Sequence, residues 1–203
     1  MKSQQLRKLA PELDSLRLGS GWKIDELSKP QIIVESSYGH SHPGSAHLDQ
    51  FVEEAMRGIT DAGARGARYY TTDICDGIAQ GHDGINYSLA HRDMMTNMIE
   101  VHGMASGFDG GMFIASCDKS VPACLMGLAR LDMPCYRDHR RRDGCRPDLL
   151  TLEQIGMYSA MCREERLQMK SLPIISTTPA LPAEPAPLWE PLPPCRSWLR
   201  LWV

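Results

Sequence analysis

The sequence predicts a parallel α/β domain, and three observations predict it. Short apolar runs of strand type alternate with segments of helical periodicity. The runs open into polar or glycine-bearing loops, where ligands gather in such folds. The composition, 42% hydrophobic and 23% charged over 203 residues, is that of a globular chain long enough for one full core. The first strand lies within PQIIVESSY (Pro30 to Tyr38), followed by the polar loop HSHPGSAHL. Asp49 to Asp61 carries Phe51, Val52, Ala55, Met56 and Ile59 at helical spacing. Ala67 to Ile74 reads as a second strand running into a glycine-rich loop. Ser88 to His102 is a helix with Leu89, Met94, Met95, Met98, Ile99 and His102 as its predicted inner face. Gly110 to Ser116 is a third strand, and Pro122 opens a helix to Leu131 in the first-turn position proline suits.

Charge and hydropathy exclude several classes. The net charge of −3 gives no electrostatic footprint for nucleic acid or an anionic membrane. No apolar stretch reaches the roughly 18 residues of a membrane span. The N-terminus lacks the apolar core of a secretory signal, which gives an expected cytoplasmic location. Seven irregularly spaced cysteines (Cys75, Cys117, Cys124, Cys135, Cys145, Cys162, Cys195) then read as free thiols or metal ligands rather than a disulfide framework.

The text changes after Cys135. Tyr136 to Arg146 (YRDHRRRDGCR) is arginine-dense, and Pro147 to Ala160 reads as a helix again. Eight of the fourteen prolines fall between Pro173 and Pro194, which argues against a packed core there.

Two loops carry chemistry. Cys117-Asp118-Lys119 follows the third strand; a thiolate suits a soft or borderline metal and a carboxylate a hard one. On residue types alone, a strand-end cysteine beside a solvated Asp–Lys pair is the plainer account. Asp73 to Gly84 (DICDGIAQGHDG) offers Asp73, Asp76 and Asp83 as oxygen donors among turn-forming glycines. It contains no dinucleotide fingerprint. His40, His42 and His47 match no standard zinc spacing and read as ordinary loop histidines. His91 to Asn97 (HRDMMTN) imitates a kinase catalytic loop one residue short, without its partner motifs, and is set aside.

Three stretches together resemble the dihydroxy-acid and phosphogluconate dehydratase family: DGIAQGHDGINYSLAHRD (Asp76 to Asp93), CDKSVPACLMGLARLDMP (Cys117 to Pro134) and PDLLTLEQIGMYSA. SKPQIIVESS and PGSAHL match its usual opening. The resemblance covers roughly residues 1–135 and 147–163. It implies an α/β/α N-terminal domain, incomplete here, of a hydro-lyase that turns a 2,3-dihydroxy acid into a 2-keto acid. By position, Asp76 and Asp118 match Mg2+ ligands. Lys119 matches a lysine carbamylated into a further Mg2+ ligand, and Cys117 matches an iron–sulfur ligand. The serine base of the family has no counterpart in this sequence, so no catalytic base is assigned. Gly44 follows Pro43 where some members carry a cysteine, which favours a 4Fe–4S over a 2Fe–2S cluster. The implied partners are a small-molecule dihydroxy acid and further copies of the chain, with no nucleic acid and no membrane. The wording of Asp76 to Asp93 and Pro147 to Ala160 leans toward the enzyme of branched-chain amino-acid synthesis; a sugar-acid dehydratase is the alternative. A non-catalytic remnant is the reading of another class.

The arginine run and the tail are explained together by shifted reading frame. Codons compatible with Tyr136 to Arg146, read one base later, spell IVITGGVMDA, an apolar strand and a glycine turn. Codons compatible with Leu167 to Trp202, read two bases later, contain CPSCGAC, which resembles a cluster-ligand motif of the family. Residues 136–146 and 164–203 are thus expected to be frameshifted, the latter as a proline-rich tail without a core, and Cys195 an accident of frame. The chain is expected to be truncated, poorly folding and inactive by itself, because arginines would replace a buried strand.

Overall fold

The computed structural model describes residues 1–139 and, beyond them, Met157, Ala160 and Met161, which are helical. Those three lie in a second compact unit, Arg142–Trp189. They are all that is described of the predicted helix and its surroundings; the rest of 147–163, the tail, and Cys145, Cys162 and Cys195 lie outside the described residues.

Two N-terminal helices, α1 (Lys2–Leu9) and α2 (Glu12–Gly19), precede β1 (Gln31–Ser36), α3 (Leu48–Asp61), β2 (Arg65–Tyr70), the single turn α4 (Asp76–Ala79), α5 (Tyr87–Ser106), β3 (Gly110–Ala115), α6 (Ser120–Leu131) and β4 (Cys135–His139). The strands form one parallel sheet in the order β2-β1-β3-β4. Parallel strands need helical crossovers, and these cover both faces. Val34 and Ile114 face α3, in a cluster with Leu48, Val52, Ala55, Met56 and Ile59. Ile33, Phe113 and Ala115 face the other side, with Met95, Ile99, Phe108, Ala123 and Leu131. Alternate residues of one strand thus feed two separate cores. The result is the expected α/β/α layering.

Three details depart from the sequence expectation. Strand β2 ends at Tyr70, paired with Ser36 at the end of β1. Beyond one last bond from Thr71 N–H to the Ser36 carbonyl, 3.0 Å, β1 offers no further partner, so Thr71 to Ile74 leave the sheet as a loop. In α5, Met95 and Ile99 are buried as predicted, but Leu89, Met94 and Met98 are exposed, and Ser88, Thr96 and Gly103 take their places. The reason is close helix packing. A Cβ on Gly103 would lie 2.5 Å from Leu131 Cδ2, and one on Gly127 of α6 would lie 2.6 Å from Ile99 Cγ2. Small residues mark this seam, and counting apolar side chains points elsewhere. Third, the arginine-bearing text after Cys135 begins as a strand: Cys135 to His139 pair in register with Gly111 to Ala115. The expected gap is absent over residues 136–139, because backbone pairing to β3 requires no particular side chain. A cost remains: Arg137 Nη1 is buried without a hydrogen-bond partner among the described residues.

The N-terminal helices, which sequence patterning did not predict, are tied in through one carboxylate. Asp109 accepts from the Ser3 amide (2.9 Å), the Ser3 hydroxyl (2.6 Å) and the Gln31 amide (2.9 Å). It thereby joins α1 to the start of β1 and the approach to β3. No helix among the described residues is long and apolar enough to cross a membrane.

The central strand also buries a charge. Glu35 is 1% exposed, accepts from the Thr71 hydroxyl, and faces His102 Nδ1 at 3.1 and 3.0 Å. Burial pushes its pKa up, and the pull of Thr71 and His102 in the other direction is smaller. The folded chain therefore holds this proton to higher pH than the unfolded chain, whose value is near 4.5. Stability from this group is complete below that value and falls as pH rises through the higher folded pKa. We expect Glu35→Gln to flatten this decline, read as melting temperature against pH from 4 to 8. Parallel curves for the two proteins would contradict it.

Candidate metal centre

The sheet order places β1 beside β3, with the chain leaving β1 toward β2 on one side and reaching β3 on the other. Crevices at such switch points, beyond the carboxyl ends of the strands, are the ligand sites of open α/β sheets. Three loops meet there: Ser37 to His47 after β1, Thr71 to Cys75 leading to α4 after β2, and Ser116 to Lys119 between β3 and α6.

Asp76, Asp118 and Lys119, far apart in the chain, converge. Lys119 Nζ lies 2.9 Å from Asp76 Oδ2 and 2.6 Å from Asp118 Oδ2. Asp118, and after it Asp76, raise the lysine's pKa, and Lys119 in turn lowers that of Asp118. The ammonium thus sits between two carboxylates, as a metal cation would. The second oxygen of Asp76, Oδ1, is buried and has no hydrogen-bond partner among the described residues. An orphaned carboxylate oxygen beside a bridged pair fits a hard divalent cation, which takes oxygen ligands.

Cys117 adjoins this group, its Sγ donating to Asp118 Oδ1 at 3.2 Å. Its φ is +90°, a conformation that side-chain-bearing residues rarely adopt. Such strain persists only where the surroundings over-determine it, and it concentrates at functional sites. A soft thiolate held there fits iron. The neighbouring thiols differ. Cys124 and Cys135 are core residues whose burial pushes their pKa up to about 12 and about 11, the character of inert thiols. Cys75 caps α4 by accepting from the Ile78 amide at 3.4 Å.

The structure also brings together two residues that the sequence reading kept apart, Asp73 as an oxygen donor and His42 as an ordinary loop histidine. Asp73 is buried and accepts from Ser120 Oγ at 2.6 Å and from Ser41 Oγ, and it lies 3.0 Å from His42 Nε2. Burial pushes its pKa up, but His42, Ser120 and Ser41 together outweigh this and the net shift is downward. His42, Asp73 and Cys117 present ligand atoms within 4.8 Å of one another. Asp73 and, after it, Cys117 push the His42 pKa up to about 10. The Gly44 amide opposes that second proton, because it donates to Nδ1 at 3.0 Å and so requires a lone pair there. The ring is best described as carrying its proton on Nε2, toward Asp73. His40 is exposed, and His47 bonds the Pro43 carbonyl at 3.1 Å. Asp83 is exposed at the start of a short 3-10 turn, Asp83–Asn86. The signal that would have separated His42 from its neighbours was topological: the loop after β1 must lie beside the loop after β3.

The family model for the dihydroxy-acid/6-phosphogluconate dehydratase N-terminal region matches residues 29–136. The chain belongs to this family. The dehydratase match embraces β1 to the start of β4 and every site residue above. Among curated dehydratases, the dihydroxy-acid dehydratase of Caldanaerobacter subterraneus subsp. tengcongensis is 44% identical over 120 residues, 59% of this chain and 22% of that protein. That of Ruminiclostridium cellulolyticum is 39% identical over 160 residues, 74% of this chain and 29% of that protein. Dihydroxy-acid dehydratase 1 of Methanosarcina acetivorans is 41% identical over 157 residues, 72% of this chain and 28% of that protein. The chain matches less than a third of the length of these dehydratases.

Proposed function

We propose that this chain is the metal-binding N-terminal portion of a hydro-lyase converting a 2,3-dihydroxy acid to a 2-keto acid. The observation that carries the reading is the ammonium of Lys119 bridging Asp76 and Asp118 directly beside the strained Cys117. Hard oxygens and a soft sulfur then lie side by side at the switch point. In this reading Asp76, Asp118 and a carbamylated Lys119 hold Mg2+, and Cys117 contributes to an iron–sulfur cluster of 2Fe–2S or 4Fe–4S type. When bound, these groups supply charge stabilisation for the substrate's carboxylate and Lewis acidity toward its leaving hydroxyl. The chain's own part is orientation: Asp76 and Asp118 would hold the hard ion that meets the acidic end of a substrate, while the φ of Cys117 sets Sγ beside Asp118.

Relatives named dihydroxy-acid dehydratase favour a 2,3-dihydroxy-3-methyl acid as substrate and a place in valine and isoleucine synthesis. A cytoplasmic location and a homo-oligomer belong to the same reading. A sugar acid is the second substrate class, because the family description includes 6-phosphogluconate. The test is a dehydratase assay of the frame-restored gene product on 2,3-dihydroxy-3-methylbutanoate and on 6-phosphogluconate. Keto-acid formation from the first alone is expected. Turnover of the second alone selects the sugar-acid reading. Turnover of neither by a metal-loaded, folded product defeats both and leaves a non-catalytic remnant.

A further inference from the structure

We propose that Glu35 and His102 are positioning residues for the hard-cation site: through Thr71 they fix the loop that carries Asp76. This deepens the proposed function and rests on its assignment of Asp76 to Mg2+.

Nothing in the sheet calls for a carboxylate at residue 35. Glu35 pairs in register with Tyr69 on one side and Phe113 on the other, and both belong to the core beneath α5 and α6. Taking a carboxylate out of water there is costly, and an apolar side chain of similar volume commonly serves stability as well or better. What the carboxylate provides is a link between elements. His102, on α5, places Nδ1 3.1 and 3.0 Å from its two oxygens. The His102 ring centroid lies 5.0 Å from that of Tyr69, whose hydroxyl is 3.1 Å from Ser106 Oγ, one turn further along α5. The other partner is Thr71, whose hydroxyl donates to Glu35.

Thr71 is where the chain leaves the sheet. Its amide makes the last bond to β1 and its hydroxyl is tied to Glu35, so residue 71 is held at backbone and side chain together. The next residues are fixed in turn. His91 Nε2 lies 3.1 Å from the Thr72 carbonyl; a carbonyl only accepts, so that nitrogen carries the ring proton. A Cβ on Gly39 would collide with Thr72 Oγ1, so the loop after β1 closes directly over Thr72. Asp73 is held by Ser41, His42 and Ser120. Only Ile74 and Cys75 then separate Asp73 from Asp76, the first residue of α4. A helix of four residues is too short to stand by itself. The placement of Asp76 at 2.9 Å from Lys119 therefore depends on the anchored loop behind it, and the first anchor of that loop is Glu35. Residues that orient metal ligands from behind commonly matter about 10–100-fold in affinity.

The test is calorimetric titration of the full 203-residue chain with Mg2+ in bicarbonate, beside a thermal melt of each variant. Thr71→Val keeps the shape of the side chain and deletes the hydroxyl. It should weaken Mg2+ binding by about tenfold and leave the melting temperature little changed, since Thr71 is half-buried at the end of the sheet. Thr71→Ser keeps the hydroxyl and should bind as the parent does. Glu35→Leu cuts the same link at its other end, so the double variant should bind no more weakly than either single one. Amide exchange at Ala79, whose N–H donates to the Cys75 carbonyl at 3.0 Å, should speed severalfold in Thr71→Val while β1 and β3 keep their parent rates. Parent-like Mg2+ affinity in both Thr71→Val and Glu35→Leu, when Asp76→Asn has lost binding, overturns this inference and leaves the proposed function standing. Parent-like behaviour of Asp76→Asn removes the cation site itself, and this inference with it. If Glu35→Leu loses its cooperative melt, the two Thr71 variants decide: equal affinity in Thr71→Val and Thr71→Ser refutes the link.

Discussion

Replacing Arg137 with valine is expected to stabilise the chain by about 1–3 kcal/mol, raising its melting temperature by roughly 2–12 °C. Arg137 pairs in register with Phe113, and neighbouring residues in register point to the same face of a sheet. Phe113 is fully buried in the core beneath α5 and α6. The guanidinium is therefore directed toward that core, close enough to Cys124 for its charge to lower the thiol's pKa, and its Nη1 is buried without a partner among the described residues. A buried donor left unsatisfied costs its desolvation. Valine deletes the charge, suits a parallel strand, and is the residue that the restored reading IVIT places within the strand. Thermal melts of the two proteins by circular dichroism check this. An unchanged or lower melting temperature for Arg137→Val would mean that the strand accommodates its arginine without cost, and the frame argument would lose its energetic support.

Cys117→Gly is expected to raise stability while removing the thiolate site. Residues held at a φ such as +90° cost about 1–3 kcal/mol. Glycine adopts this φ freely but gives back about 0.5–1 kcal/mol through its more flexible unfolded chain. The net gain is about 1 kcal/mol, or roughly 2–4 °C in melting temperature. The companion variant Cys117→Ala separates the two effects, because it loses the sulfur and keeps the Cβ. It should show no gain in stability. A destabilised Cys117→Gly would show that the side chain contributes packing rather than function.

The sequence carried the sheet because burial imposes a pattern. PQIIVESSY and GGMFIAS are short apolar runs flanked by turn residues, and both became strands buried on two faces. Asp76, Asp118 and Lys119 were legible through a resemblance to known dehydratases; their convergence at 2.6 to 2.9 Å was not, since nothing local links residue 76 to residue 119. The seam between α5 and α6 was hidden because Gly103 and Gly127 carry no hydrophobic signal. His42 was hidden for a different reason. Its loop has no metal-ligand spacing, and its partners Asp73 and Cys117 come from two other strands. Over residues 136–139 the arginine-bearing text misled about the backbone: hydrogen bonding to β3 keeps a strand where side-chain chemistry argues against one, and among the described residues the conflict shows at Arg137 Nη1.

The most direct test of the metal reading is a calorimetric titration of the chain with Mg2+, with and without bicarbonate. As an ammonium, Lys119 occupies the space between Asp76 and Asp118 and repels an incoming cation. As a carbamate it would add an anionic oxygen ligand. Reversing a charge within about 4 Å of the ion readily supplies tenfold in affinity. Bicarbonate should therefore tighten Mg2+ binding by about tenfold or more in the parent chain, have no effect in Lys119→Met, and find no site to strengthen in Asp76→Asn. Mg2+ binding that ignores both bicarbonate and the loss of Asp76 would contradict the account.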